Sequence, residues 1–435
     1  MRKFVGILLS LITVSMFYFS VEFTFLPGLN TKNILAVVGA VCLLFSFIHR
    51  REFVMSKDII ILLALSMVVT AITIFSVTYN HTPELSYTEY LLTVLVWLFS
   101  AYCVCSFIRL THGKIDIVLV LNYLCAVSVL QCVAALLIEF IPEVQTAVDT
   151  VFRQGQDFLH EANRIYGIGA SLDVAGTRFA CVLSAIPVVL YVDRDKLTWK
   201  QMIIYILCFL FIAIVGDIIA RTTLIGVVAG LVYIGVLLLR DIFTGNVKGG
   251  KIVGMWLLAL AVIIPASIIL YNTVSEMRSL FRFGFEGFFN LAETGEFTTK
   301  SSSLLAEKMI VFPEDVKTYL IGDGYFENSR KDINYLGDAT NLGYYMGTDI
   351  GYLRFLFFFG VPGLLAITLV MVFAARIGAK SWPEYSWVFY LVLFVGFIIW
   401  FKVATDVFPF LAIGIAAGLV RDLIDFEEEP LEEET

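Results

Sequence analysis

Charged side chains interrupt three otherwise apolar stretches: Asp173 and Arg178 in "SLDVAGTRFA", Asp217 and Arg221 in "GDIIARTTLIG", and Asp349, Tyr352 and Arg354 in "TDIGYLRFLFFFGVPG". A charge at the centre of a membrane helix costs about 2.5–3.5 kcal/mol on insertion scales and less near an interface, so it persists where it is paired, snorkelled or used. Asp217 and Arg221 are four residues apart and share a face if the segment is helical; they read as a structural ion pair, or as an arginine held ready to grip an anion. Asp173 and Arg178 lie about 140° apart around an ideal helix, so Arg178 needs a partner on another helix, a ligand, or a route to the interface. Asp349 and Tyr352 share a face while Arg354 points elsewhere. Asp349 reads as the N-cap of the following helix, as a proton-accepting base, or as both.

The outer connections of the topology derived below add Arg164, Arg278, Arg282, Lys308 and Lys317. The planar fork of arginine binds phosphate or diphosphate through two parallel hydrogen bonds. A cationic site beside lipid therefore points to an amphipathic substrate with a phosphate head and a hydrocarbon tail. The phenylalanines of the third stretch imply burial and no chemistry, and Gly360 and Gly363 allow close helix approach.

These residues sit in a chain of 435 residues with 59% hydrophobic and only 16% charged residues. A soluble domain carries roughly 25% charged residues, so the composition is that of an all-α polytopic membrane protein. Twelve spans are expected, near 4–25, 33–49, 58–78, 88–108, 115–140, 170–192, 201–219, 222–239, 252–271, 350–375, 385–401 and 404–420. The first is read as a retained helix, since no small-residue cleavage site precedes Pro27. Short connections on the N-terminal side hold sixteen Lys and Arg, against Lys32, Arg153, Arg164 and Lys402 on the other, which places both termini in the cytoplasm. The turn near Gly216–Arg221 reads as a tight corner between two crossings, or as a broken or re-entrant segment.

The chain divides into helices 1–9 over 1–271, a large outer loop over 272–349, helices 10–12 over 350–420, and an acidic tail over 421–435. The outer connections at 141–169 and 272–349 exceed ordinary loop lengths. The second contains the helical-looking pieces "SEMRSLFRFGFEGFF" and "SSSLLAEKMIVF" and reads as a folded cap. The acids that end the chain account for most of the net charge of −8 and read as a solvated end. No basic patch interleaved with aromatics points to nucleic acid. The seven cysteines all fall in expected spans, so neither a disulfide framework nor a zinc site is expected.

Four segments together resemble the O-antigen polymerase/ligase superfamily: "RIYGIG" ending the first outer loop, "GDIIARTTLIG", "TYLIGDGYF", and "TDIGYLRFLFFFGVPG". The resemblance implies a GT-C-like, metal-independent and cofactor-free glycosyltransferase of the bacterial inner membrane. It would join undecaprenyl-diphosphate-linked oligosaccharide repeats at the outer leaflet, alongside a flippase and a chain-length regulator. By position Arg164, Arg221 and Arg354 match family arginines, with Arg178, Arg278 and Arg282 as further substrate contacts. Asp349 would be the base and Tyr352 its orienter or a sugar contact. Ligases of the superfamily place a histidine near the mouth of this helix, where this chain has Asp349. Its histidines are His49, His81, His112 and His160, none in the large loop, which favours a polymerase over a ligase. A transporter or flippase is the remaining alternative, disfavoured because the charges gather at one face instead of the midplane.

Overall fold

The computed structural model describes residues 2–50, 56–161, 164–245, 249–327 and 344–428. The acidic end beyond 428 and the middle of the large loop lie outside the described residues. Apart from a two-residue ribbon pairing β1 (Glu22–Phe23) with β2 (Phe152–Arg153), the described fold is α-helical. It begins with α1 (Arg2–Tyr18), α2 (Thr31–Arg50), α3 (Lys57–Asn80), α4 (Tyr90–His112) and α5 (Ile117–Phe140). Two short helices, α6 (Pro142–Val151) and α7 (Gln156–Glu161), fill the first long connection. Then come α8 (Leu172–Val192), α9 (Trp199–Ile219), α10 (Thr223–Phe243) and α11 (Gly249–Thr273). The large loop holds α12 (Ser275–Gly284), α13 (Glu286–Thr294), α14 (Lys300–Leu304) and α15 (Val316–Leu320). The chain returns through α16 (Gly351–Ser381), α17 (Ser386–Ile399) and α18 (Phe408–Glu428).

A helix stands at each of the twelve expected positions, and among the described residues eight helices are long and apolar enough to cross a membrane: α3, α4, α5, α8, α9, α10, α11 and α16. The first is shorter than expected, because α1 stops at Tyr18 and the chain turns into β1. The turn between α9 and α10 joins two helices that are each long and apolar enough to cross a membrane. Ala220 is extended, and the Thr223 hydroxyl donates to the Gly216 carbonyl at 2.9 Å, so two full-length helices meet in a closed corner.

The bundle is tied by the pairs α2–α4, α8–α10, α3–α16 and α4–α18, around a core in which α8 is buried along nearly all its length. Phe355, Phe357, Phe358 and Phe359 are buried, as a burial role requires.

What positions the cap is a break in α16. Pro362 has no N–H to offer the Phe358 carbonyl one turn earlier, and Gly360 adopts φ 70° and ψ −173°, a conformation open essentially to glycine. The freed Phe358 carbonyl accepts from the Ser76 hydroxyl at 2.8 Å and the Gly324 N–H at 3.2 Å, and the Phe357 carbonyl from the Asp323 N–H at 2.5 Å. The "GDGYF" segment of the large loop is thus docked into the kink. Asp323 secures it further by accepting from Lys317, Thr318 and Tyr345. At Gly360 a Cβ would lie 2.8 Å from the Tyr319 carbonyl oxygen, in a backbone that L-residues avoid. Gly360→Ala is expected to lower the stability of the detergent-solubilised protein by about 1–3 kcal/mol. Gly235→Ala in α10, where nothing lies within 4 Å of the added carbon, is the matched control with no loss in a thermal melt.

Candidate functional site

Segments far apart in sequence meet at the end of the bundle that carries the cap. The Asp173 carboxylate, in the first turn of α8, accepts from Lys402 Nζ at 2.8 Å and from the Thr222 hydroxyl at 3.0 Å. One carboxylate therefore joins α8, the α9–α10 corner and the segment after α17. The partner that Asp173 lacks on its own helix comes from Lys402. One turn further along α8, the Thr177 hydroxyl meets that of Thr405 at 2.6 Å.

Arg221 does not pair with Asp217. The helical spacing that would align them ends at Ile219, so Arg221 swings away from α9. Its guanidinium reaches Glu286 of α13 at 2.6 Å, the Ser301 hydroxyl at 3.0 Å and the Phe283 carbonyl at 3.3 Å. Asp217 stays fully buried, with neither carboxylate oxygen hydrogen-bonded. The ring of Phe283 is shared by two guanidiniums, Arg221 at 4.7 Å and Arg164 at 4.4 Å. Arg164 forms no ion pair among the described residues; burial, and then the neighbouring Arg221 charge, lower its pKa.

The third group surrounds the start of α16. Arg354 is buried, and its Nη2 meets Glu327 of the loop at 2.8 Å and the Phe326 carbonyl at 3.3 Å. Its guanidinium stacks over the rings of Phe326 at 3.9 Å and Tyr344 at 4.2 Å. Contrary to the helical-wheel expectation, Arg354 turns back toward Asp349, with Nη1 and Oδ1 3.8 Å apart. Asp349 is not the N-cap: Ile350 holds that position, and Asp349 Oδ1 is buried with no hydrogen-bond partner. Tyr352 turns away from Asp349; its hydroxyl donates to the Phe397 carbonyl at 2.9 Å and its ring meets Trp400 and Phe401.

Burial is the chief reason the Asp349 pKa is pushed up to about 6. The Asp173 charge adds to the rise, while Arg354 and Lys402 oppose it without cancelling it, and Glu327 raises it further. A carboxyl poised there takes up a proton near neutral pH, which suits a base or acid.

A cavity of about 360 Å³ opens beside Arg221 and Lys402, lined also by Thr222, Phe288, Phe297 and Ser301 among others. A larger one of about 580 Å³ lies between α9, α11 and the cap helices and is almost wholly apolar, with Leu210, Ile214, Leu260, Tyr271 and Phe281 in its wall. Phe288 lines both. Of the two, the smaller is lined by charged side chains and the larger by none.

Arg278 and Arg282 are not brought to this cavity. Arg278 donates to the carbonyls of Tyr271 and Asn272 at the end of α11, and exposed Arg282 pairs with Glu293 at 2.6 Å. His160 belongs to a separate network with Asp149 and Tyr166 in the first long connection. Arg178 lies inside the bundle, one turn below Asp173. Sequence reasoning passed over Lys402, Glu286, Glu327, Lys32 and Asp406. The signal for Lys32 and Lys402 was present, as they are two of the four cations on the side poor in positive charge. No family profile, curated protein or solved structure matches this chain.

The Asp349 shift has a definite sign. Its raised pKa means the folded state favours the neutral acid, so ionisation costs stability as pH rises from the ordinary carboxylate range through about 6. Asp349→Asn is expected to stabilise the protein by about 1–3 kcal/mol at pH 8 and to change it little at pH 4. Thermal melts of both proteins across that range measure it; an equal gain at both pH values would contradict it.

Proposed function

We propose that this protein polymerises polysaccharide, transferring a glycan from an undecaprenyl diphosphate carrier onto a second lipid-linked repeat unit. The observation that supports this reading best is that Arg221 and Lys402 line a polar cavity sharing a wall with an apolar one, with Arg164 beside Arg221 on the Phe283 ring and Asp349 within electrostatic reach of Arg354 and Lys402. A diphosphate head and a hydrocarbon tail need such neighbouring polar and apolar spaces. The proposal includes twelve crossings in a GT-C-like arrangement, both termini in the cytoplasm, and the capped end at the outer leaflet of the bacterial inner membrane.

In this mechanism the acceptor hydroxyl attacks the anomeric carbon of the donor sugar. The bond from that carbon to the diphosphate oxygen breaks, and its electron pair leaves with the carrier. Asp349, ionised, takes the hydroxyl proton. Arg221, Arg164 and Arg354 stabilise the charge that grows on the departing diphosphate, where preorganised cations act most strongly. Glu286 and Glu327 hold two of these arginines in place until the anion arrives. The resemblance implies no metal or cofactor, and the proposed step is written without one.

Loss of the protein is expected to reduce the surface polysaccharide to single repeat units; long chains left on the carrier would instead identify a ligase. With purified lipid-linked repeats, Arg221→Ala and Arg354→Ala are each expected to slow elongation about 10²–10³-fold, the usual cost of removing a donor to developing charge. Full elongation by both variants would refute the arginine clamp, and transport without elongation would refute the reading itself.

A further inference from the structure

One group of charges inside the bundle takes no part in the mechanism above. Arg178 follows Asp173 by five residues on α8, about 7–8 Å deeper along the axis at 1.5 Å per residue. It is only 8% exposed, its Nε is buried without an acceptor, and no described residue forms an ion pair with it. Tyr18, which could have accepted from the guanidinium, instead donates its hydroxyl to the Arg178 main-chain carbonyl at 2.8 Å. The Phe19 ring lies 5.8 Å from the guanidinium carbon.

Lys32, in the first turn of α2, is the second cation. Its ammonium lies over the Trp97 ring at 4.6 Å and has no ion pair among the described residues. Asp406 is within electrostatic reach of both cations and in ion-pair contact with neither. Its Oδ1 accepts instead from the Phe408 N–H at 2.6 Å at the start of α18.

A purely structural triad would close into contact, because separated charges in a buried place forfeit the attraction that offsets their desolvation. Here two cations and one acid stand apart, leaving one net positive charge and a guanidinium fork with no described acceptor. The N-termini of α2 and α18, whose first N–H groups favour anions, begin beside Lys32 and Asp406. The contact between the Thr177 and Thr405 hydroxyls links this place to the outer pair Asp173–Lys402.

We infer that Lys32, Arg178 and Asp406 form a second anion-binding subsite, which takes the diphosphate of the second lipid-linked substrate while Arg221 and Arg164 hold that of the first. This rests on the polymerase reading, in which two such substrates must be bound at once. Asp406 opposes the anion electrostatically and so limits its affinity, which allows the elongated product to leave.

The test titrates farnesyl diphosphate into the full-length protein in nanodiscs, followed by calorimetry. The wild type is expected to bind two equivalents. Arg178→Gln should lose the inner one and keep the outer, and Arg221→Gln the reverse. Lys32→Met should weaken the inner equivalent about tenfold, whereas Asp406→Asn should tighten it by a similar factor. That opposite sign is what a merely structural ion triad would not give, and it stands even if Arg178→Gln fails to fold. A single equivalent, lost with Arg221→Gln and unmoved by Lys32→Met and Asp406→Asn, overturns this inference and leaves the polymerase reading intact. No binding of farnesyl diphosphate at all overturns both. An inner site that takes free glucuronate and refuses the diphosphate overturns the assignment to a carrier head group.

Discussion

The carboxylate of Asp173, bonded to Lys402 and Thr222, is the contact around which the capped end is organised. A charge at the end of an apolar helix calls for a partner, and here the partner comes from more than two hundred residues away in sequence. That requirement brings the start of α8, the α9–α10 corner and the chain after α17 to one point. Once these are together, Arg221 is aimed into the cap and the hydroxyls of Thr177 and Thr405 are in contact. Asp349 then feels the Asp173 and Lys402 charges alongside that of Arg354.

The cap belongs to the same construction. The break in α16 leaves two carbonyls without helical partners, and the loop that supplies Asp323 and Gly324 satisfies them. Arg354 stands about one turn before that break and pairs with Glu327, three residues beyond Gly324. The site is therefore shared between bundle and cap: two arginines of the bundle find their carboxylates on the cap, through Glu286 and Glu327. Phe288 stands between the polar cavity and the apolar one, where the head and tail of an amphipathic substrate would divide.

Much of this was legible in the amino-acid order. Apolar runs of the right length located every long helix, because bilayer thickness and helical rise leave little choice of span. Most of the misplaced charges fall at the capped end, as expected of groups whose cost is high in the apolar interior. The large loop announced its helical pieces, whereas the break at Gly360 and Pro362 in α16 was not read from the sequence.

The pairings were not legible, and the reason is geometric. Asp217 and Arg221 have the spacing of a helical pair, yet the helix ends between them and Arg221 finds Glu286 instead. Asp349 has the residue type of an N-cap, yet Ile350 holds that place and the acid turns toward Arg354. Local spacing decides which residues share a helix face; it does not decide where a helix stops or which distant segment lies across from it. The sequence by itself determined the helices, their apolar surfaces and the presence of charges that need partners. Only the tertiary structure decided which of them find a partner and which partner that is, because that depends on packing between segments from a few to more than two hundred residues apart.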